Sequence, residues 1–548
     1  MKIKLLLLPL AVVVAVVGLV TWSARSPEMS AAVSIPVNGS DSPGELAAAV
    51  ASVDRYFESI WKAEQLAPAQ PADDLQILRR LSLSLHGTIP SLEMIRRFEA
   101  DKGPDRIGRW TERMLADERF GDYFAERLGR SFVGVEGGAF IIFRRDRFID
   151  WLAGQLNSNQ PYDAIVRQMI TDTGLWTGRP ATNFITAAIN EGEVDENKLA
   201  ARCVRAFLGQ RIDCAQCHDH PFDHWTQADF EGLAAHFGQT QQTMVGIEDK
   251  LISDKKPVEY KVEDRKTLEE RIVQPTVPFN RECLPETGSR REKLAAWITH
   301  PKNRRFERAI VNRVWGYLFG KPHILDYPVD DLRDPGDTAD PDLLDILGAD
   351  FRKHDCDLRR LIRVIVSSQV FRLDSTHPAD NEDADPAEVD RLFAVWAVFP
   401  LTRLRPEQIV SAMIQAGAIK TIDRHSHLFV RFQRFIRESD FVKEYGDLGE
   451  NELDDRAGTL PQALLRMNGK LGNDILKVNP LTASGRIAAA SGSDEKCLET
   501  CFLVCFTRRP TSEEKNLLQL QLKGKQRQRA VEDIYWSLFN SLEFSWNH

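Results

Sequence analysis

Apolar residues recur three and four positions apart along most of the chain, a spacing that predicts a mainly α-helical protein. Leu75, Leu78, Leu81 and Leu85 form one such stripe, and Gly87 with Pro90 ends it before a second helix over 92–98. Further amphipathic stretches run from Ile107 to Leu115, Tyr123 to Phe132 and Phe143 to Leu156, separated by Gly, Asn and Pro. A helix over 196–208 carries Leu199, Cys203 and Phe207 four apart, so it presents one buried face and then leads into Cys214.

The pattern changes after His236. Short alternating β-branched runs such as 258–262, with prolines at 257, 275 and 278, predict a small β-containing connector between two helical lobes. Beyond it Ser289 caps a helix through Trp297, Phe306, Ile310, Val314 and Leu318 mark the next, and two more follow over 343–351 and 358–371. The acidic stretch 374–390 reads as a surface linker, and helical regions return at 406–416 and from Glu495 onward. The expected organisation is a helical domain over 48–245, the connector over 246–285 and a second helical domain over 286–548, without internal repeats.

The first residues have a different character. Lys2 and Lys4 precede an uncharged, apolar run from Leu5 to Trp22, the pattern of an export signal in which residues 1–25 act as a signal peptide or membrane anchor. The run approaches the length needed to span a bilayer and lacks a small-residue cleavage site, which favours an uncleaved anchor with the body on the outer, periplasmic side. Residues 26–47, rich in Ser, Pro, Ala and Gly, read as a tether. The full chain has the composition of a globular protein, 43% hydrophobic and 28% charged, and its net charge of −9 is spread in short alternating patches. No basic stripe exists to meet a phosphate backbone, so nucleic acid is not an expected partner.

Candidate chemistry centres on Cys214-Ala-Gln-Cys217-His218. Haem attachment of the c type needs two thiols on one short turn and a following imidazole aimed at the iron, and this order supplies both. Composition alone would produce such a match on the order of 0.003 times in a chain of this make-up, so coincidence explains it poorly. Met244, His236 and His224 are the candidate distal ligands. The rival is zinc held by Cys214, Cys217, His220 and His224, although only two residues separate the cysteine and histidine pairs. Phe222 and Trp225 are expected to wall the site. Asp326, Asp330, Asp331 and Asp334 beside Arg333 suit either a hard cation or capping with an Arg–Asp pair, and Cys497, Cys501 and Cys505 read as small buried hydrophobes on one helical face. The segment Asn312-Arg313-Val-Trp315 reads as a packed junction, and no P-loop, Rossmann or Gly-x-Ser-x-Gly fingerprint is present.

The residues from Cys214 to Phe230, with Leu78-Arg-Arg-Leu-Ser-Leu upstream, closely resemble the planctomycete cytochrome-like domain of unknown function. Arg291-Glu-Lys-Leu, Val311-Asn-Arg-Val-Trp-Gly, Val329-Asp-Asp-Leu-Arg333 and the segment 538–548 resemble the planctomycete-specific domain that usually follows it. The resemblance implies an exported protein, often met with a separate cytochrome c module, and fixes no biochemical activity. That module is not evident here, and His224 stands where the family pattern leads one to expect Arg or Lys. A monohaem redox protein working with a redox partner is the leading expectation. An envelope interaction scaffold with structural cysteines or zinc, and a metal-dependent polysaccharide hydrolase, are the alternatives.

Overall fold

The computed structural model describes residues 43–548 apart from 138–142, 254–255, 264–267, 326, 337, 380–384, 424–425, 427–437, 439, 450–452, 454–457, 478–481 and 525. Among the described residues the protein is mostly helical with a few short strands. The stripe at 75–85 forms the helix Asp74–His86, started by an Asp73 cap on Leu75 N and closed by Gly87 at φ +67°, a left-handed conformation that glycine adopts without steric cost. Leu92–Ala100, Arg106–Ala116, Glu118–Val133 and Arg145–Asn157 follow, the first three behind Ser or Asp caps. Ser289 and Glu292 make a reciprocal capping box on Arg290–Ile298, and Arg304–Phe319 and Leu343–Lys353 continue the series.

Three stretches depart from expectation. The helix expected over 358–371 is broken into Leu358–Ser367 and Gln369–Arg372, because Ser368 turns extended and its hydroxyl bonds back to Ile365 O at 2.6 Å. Part of the acidic linker is helical, as Pro386–Ala394 behind an Asp385 cap. The helix Pro43–Glu64 begins inside the expected tether. The apolar run 5–22 lies outside the described residues. Among those that are described, no helix is long and apolar enough to cross a membrane.

Two clusters of buried apolar residues organise the packing. The larger runs from Val53 to Phe399 with Leu453 and Leu503, and the smaller joins Leu83 and Ile89 to residues between 404 and 544. Helix Asp74–His86 belongs to both: Leu78, Leu81 and Leu85 face the first and Leu83 the second. It is therefore buried nearly all round, arginines included. Arg80 donates to the main-chain oxygens of Phe371 (3.0 Å), Leu373 (2.6 Å) and His548 (2.8 Å) and to Ser375 Oγ, and its guanidinium lies 3.6 Å from the Phe399 ring centroid. Arg79 donates to Cys505 O and Phe544 O.

Among the described residues the strands form five antiparallel pairs. Ile252–Ser253 with Lys256–Pro257, and Lys261–Glu263 with Glu270–Ile272, fall within the segment expected to contain β structure. Just before them, Thr240–Thr243 pairs with Gly246–Asp249. Thr402–Arg403 pairs with Trp546–Asn547.

Candidate functional site

Helix Glu196–Cys203, capped by Asp195, buries Leu199, Ala200 and Cys203 as its spacing predicts. Its continuation, Val204–Leu208, winds as a π-helix and stops at Gly209, φ +64° and ψ +42°. Wider turns of this kind re-aim the backbone that follows them. Only glycine suits position 209: the conformation is left-handed, and an added Cβ would lie 3.1 Å from Ala309 Cβ and 3.2 Å from Leu332 Cδ1. Gly209→Ala is expected to cost about 1–3 kcal/mol by urea unfolding, from backbone strain plus crowding; an unchanged midpoint would show that the bend has room to relax.

Asp213–Gln216 then forms a 3-10 turn. Ile212 and Ala215 are buried and pin the turn to the core, while Cys214, Cys217 and His218 lie exposed. The amides of Cys217 and His218 both donate to Cys214 O, at 3.2 and 3.4 Å, so both sulfurs and the imidazole hang from one turn. His218 Nδ1 is 2.7 Å from Asp219 O. A carbonyl only accepts, so Nδ1 carries the hydrogen and Nε2 of the neutral ring keeps its lone pair. This donor set fits c-type haem: two neighbouring thiols for attachment and one pre-oriented nitrogen for the iron.

The loop after the turn is tied back on itself. His220 N donates to Trp225 O, Phe222 N to His220 Nδ1, and Gln227 N to Asp219 Oδ1. It feeds helix Gln227–Ala234 through a Thr226–Asp229 capping box. Of the two expected wall residues, Trp225 is buried beneath this loop against Phe279, with the Arg305 guanidinium 5.8 Å from its ring centroid, whereas Phe222 is 95% exposed.

The candidate distal ligands lie in three different settings. Met244, at the turn between Thr240–Thr243 and Gly246–Asp249, is 98% exposed. His236 is buried with Nδ1 donating to Gly232 O, and burial pushes its pKa down to about 4. His224 is half-exposed, stacked on Trp225, with Nδ1 2.6 Å from Asp223 Oδ1 and 3.5 Å from Asp334 Oδ2. The zinc set is not assembled: among the described residues no three His, Cys, Asp or Glu side chains are gathered as metal ligands.

The aspartates grouped by sequence face arginines instead. Asp326 lies outside the described residues. Asp330 accepts from Arg205 and Arg211, Asp331 from Arg211 N, and Asp334 pairs with Arg305, which also donates to Gln210. Gln210 in turn donates to Asp223 Oδ2 at 2.6 Å. Arg333 is not the acid partner; it donates to Tyr327 Oη. Cys497, Cys501 and Cys505 are buried on helix Asp494–Phe506, as small hydrophobes would be. Nothing in the local sequence marks Asp219, Arg305 or Gln210 for these contacts. For the helix at 227, the Thr226-x-x-Asp229 spacing was an available signal.

Comparison with known proteins adds the family. Residues 52–242 match the model PSCyt2, a protein of unknown function (DUF1549), and residues 290–435 match PSD1, a protein of unknown function (DUF1553). No curated protein and no solved structure matches the chain. The thiol turn and its delivering helix fall within the first match, and the arginine-facing aspartates within the second. The chain thus belongs to the proteins in which the planctomycete cytochrome-like domain is followed by the planctomycete-specific C-terminal domain.

Proposed function

We propose that this protein is an exported electron carrier holding one c-type haem, with Cys214 and Cys217 as the thioether attachments and His218 as the proximal ligand. The observation that carries the reading is the exposed turn on which both sulfurs stand beside an imidazole whose Nδ1–H is committed to Asp219 O. When bound, haem supplies a one-electron iron couple. The chain's own residues do the positioning. Ile212 and Ala215 anchor the turn, Asp219 sets the imidazole tautomer, and exposure of the turn leaves an edge open to a redox partner protein. Lys2, Lys4 and the apolar run after them support an extracytoplasmic location, with the N-terminal segment as membrane anchor.

The test is production of the full chain in a host with c-haem maturation machinery. The expected product shows a Soret band and one added porphyrin mass. Cys214→Ala and Cys217→Ala each weaken covalent attachment, and His218→Ala retains the mass but alters the spectrum. A colourless polypeptide of unmodified mass, or one carrying only a Cys214–Cys217 disulfide, overturns the reading.

A further inference from the structure

We infer that Asp330, in the C-terminal domain, is a positioning residue for the thiol turn of the N-terminal domain; the haem-loading part of the test rests on the function proposed above, and the rest does not. Residues 209–212, between the π-helix and the 3-10 turn, have no regular secondary structure of their own. Such a segment points its neighbours only as well as its backbone is held. Much of that hold comes from the C-terminal domain: Leu332 N donates to Gly209 O at 2.7 Å, and Arg211 N donates to Asp331 Oδ1 at 3.2 Å.

Asp330 closes the arrangement. Its carboxylate is 4% exposed, with Oδ2 accepting from Arg205 Nε at 2.5 Å and Oδ1 from Arg211 Nε at 2.9 Å and Nη2 at 2.7 Å. Arg205 lies in the π-helix before Gly209 and Arg211 after it. One carboxylate therefore staples both arms of the left-handed bend, and the direction in which residues 212–218 leave depends on that staple. Charge makes the dependence strong. Buried Arg313 also acts on Asp330, so neutralising the carboxylate removes a counter-charge that three arginines share. Each carboxylate oxygen thus holds a different arginine, Oδ2 the one before the bend and Oδ1 the one after it, through charge-assisted contacts.

The test uses the full chain made without haem. Hydrogen exchange of amides 209–218 should accelerate at least tenfold in Asp330→Ala and less in Asp330→Asn, with Arg145–Asn157 unchanged. The relative rates at which Cys214 and Cys217 react with a thiol reagent should shift severalfold. Asp330→Glu should restore both toward wild type, and Arg211→Ala, at a partly exposed partner, should move them the same way. Covalent haem loading of the Ala variant should fall severalfold. Loosening spread evenly over the whole chain, or unchanged exchange and thiol rates in both Asp330→Ala and Arg211→Ala, overturns the assignment. Should wild type itself take up no porphyrin, the haem reading fails while exchange and thiol rates still decide the role of Asp330.

Discussion

Acidifying the protein from pH 7 to pH 5 should remove about 7 kcal/mol of folding free energy through its buried histidines, offset in part by Asp54, Glu196 and Glu307, whose carboxyls burial pushes up. Four buried histidines are responsible. Burial pushes the pKa of His86 and His548 down to about 3 and of His236 and His323 down to about 4, with arginines near His86 and His548 adding to the effect. Unfolded, each titrates near about 6.5. Between the two values the unfolded chain binds protons that the folded one refuses, so stability falls as pH drops below the unfolded value, by about 2 kcal/mol per histidine at pH 5. The depressed carboxylates act in another window. Asp117, lowered to about 2, and Glu407 and Asp330, both lowered by neighbouring arginines despite burial, keep their stabilisation above the unfolded carboxylate range and lose it only as pH falls toward their folded values. Urea unfolding at pH 7, 6 and 5 measures the slope. His323→Phe, which keeps a ring stacked on Trp396 and removes the Nδ1 that has no partner, should flatten it by about 2 kcal/mol. A level profile across this range would show that these rings are hydrated.

Arg80→Met should cost about 3–5 kcal/mol, among the largest effects of any single substitution here. The guanidinium is fully buried with no Asp or Glu side chain bonded to it among the described residues, and burial lowers its pKa to about 9, so it remains charged at neutral pH. Its compensation is three main-chain oxygens, a hydroxyl and the face of Phe399. Methionine fills the stem and none of those acceptors, each of which then loses a charge-assisted bond in a dry interior. Arg96→Met, at a half-exposed i,i+3 pair with Glu99, should stay within about 0.5 kcal/mol and serves as the reference. A loss under about 1 kcal/mol for Arg80→Met in urea unfolding would mean that water replaces the guanidinium.

Helices were legible where apolar residues recur at the helical period, as in Asp74–His86 and Arg304–Phe319, although the fold buries both nearly all round. Tyr162–Thr171 carries the same signal: Tyr162, Ile165, Val166, Met169 and Ile170 keep the helical period after Pro161. The break at Ser368 was not readable, because Val370 and Phe371 continue the apolar pattern and a hydroxyl bond decides the turn. At the site, the order of Cys214, Cys217 and His218 is local information and was visible. The exposure of the turn and the Asp219 bond to His218 belong to the fold. The staple at Asp330 was invisible for a plainer reason: its arginines lie 119 and 125 residues away, whereas the nearby aspartates suggested a cation site by proximity in sequence.

The helix shared by the two apolar clusters also governs when the chain can finish folding. A ribosome makes residues 74–86 early, but the main-chain oxygens that satisfy Arg80 at Phe371, Leu373 and His548 are 291 to 468 positions further on. Until those arrive, the leucines of this helix face water beside two hydrated guanidinium groups. Such a chain folds after synthesis and not during it. So late a closing step leaves the leucines of this helix open to other chains until synthesis ends.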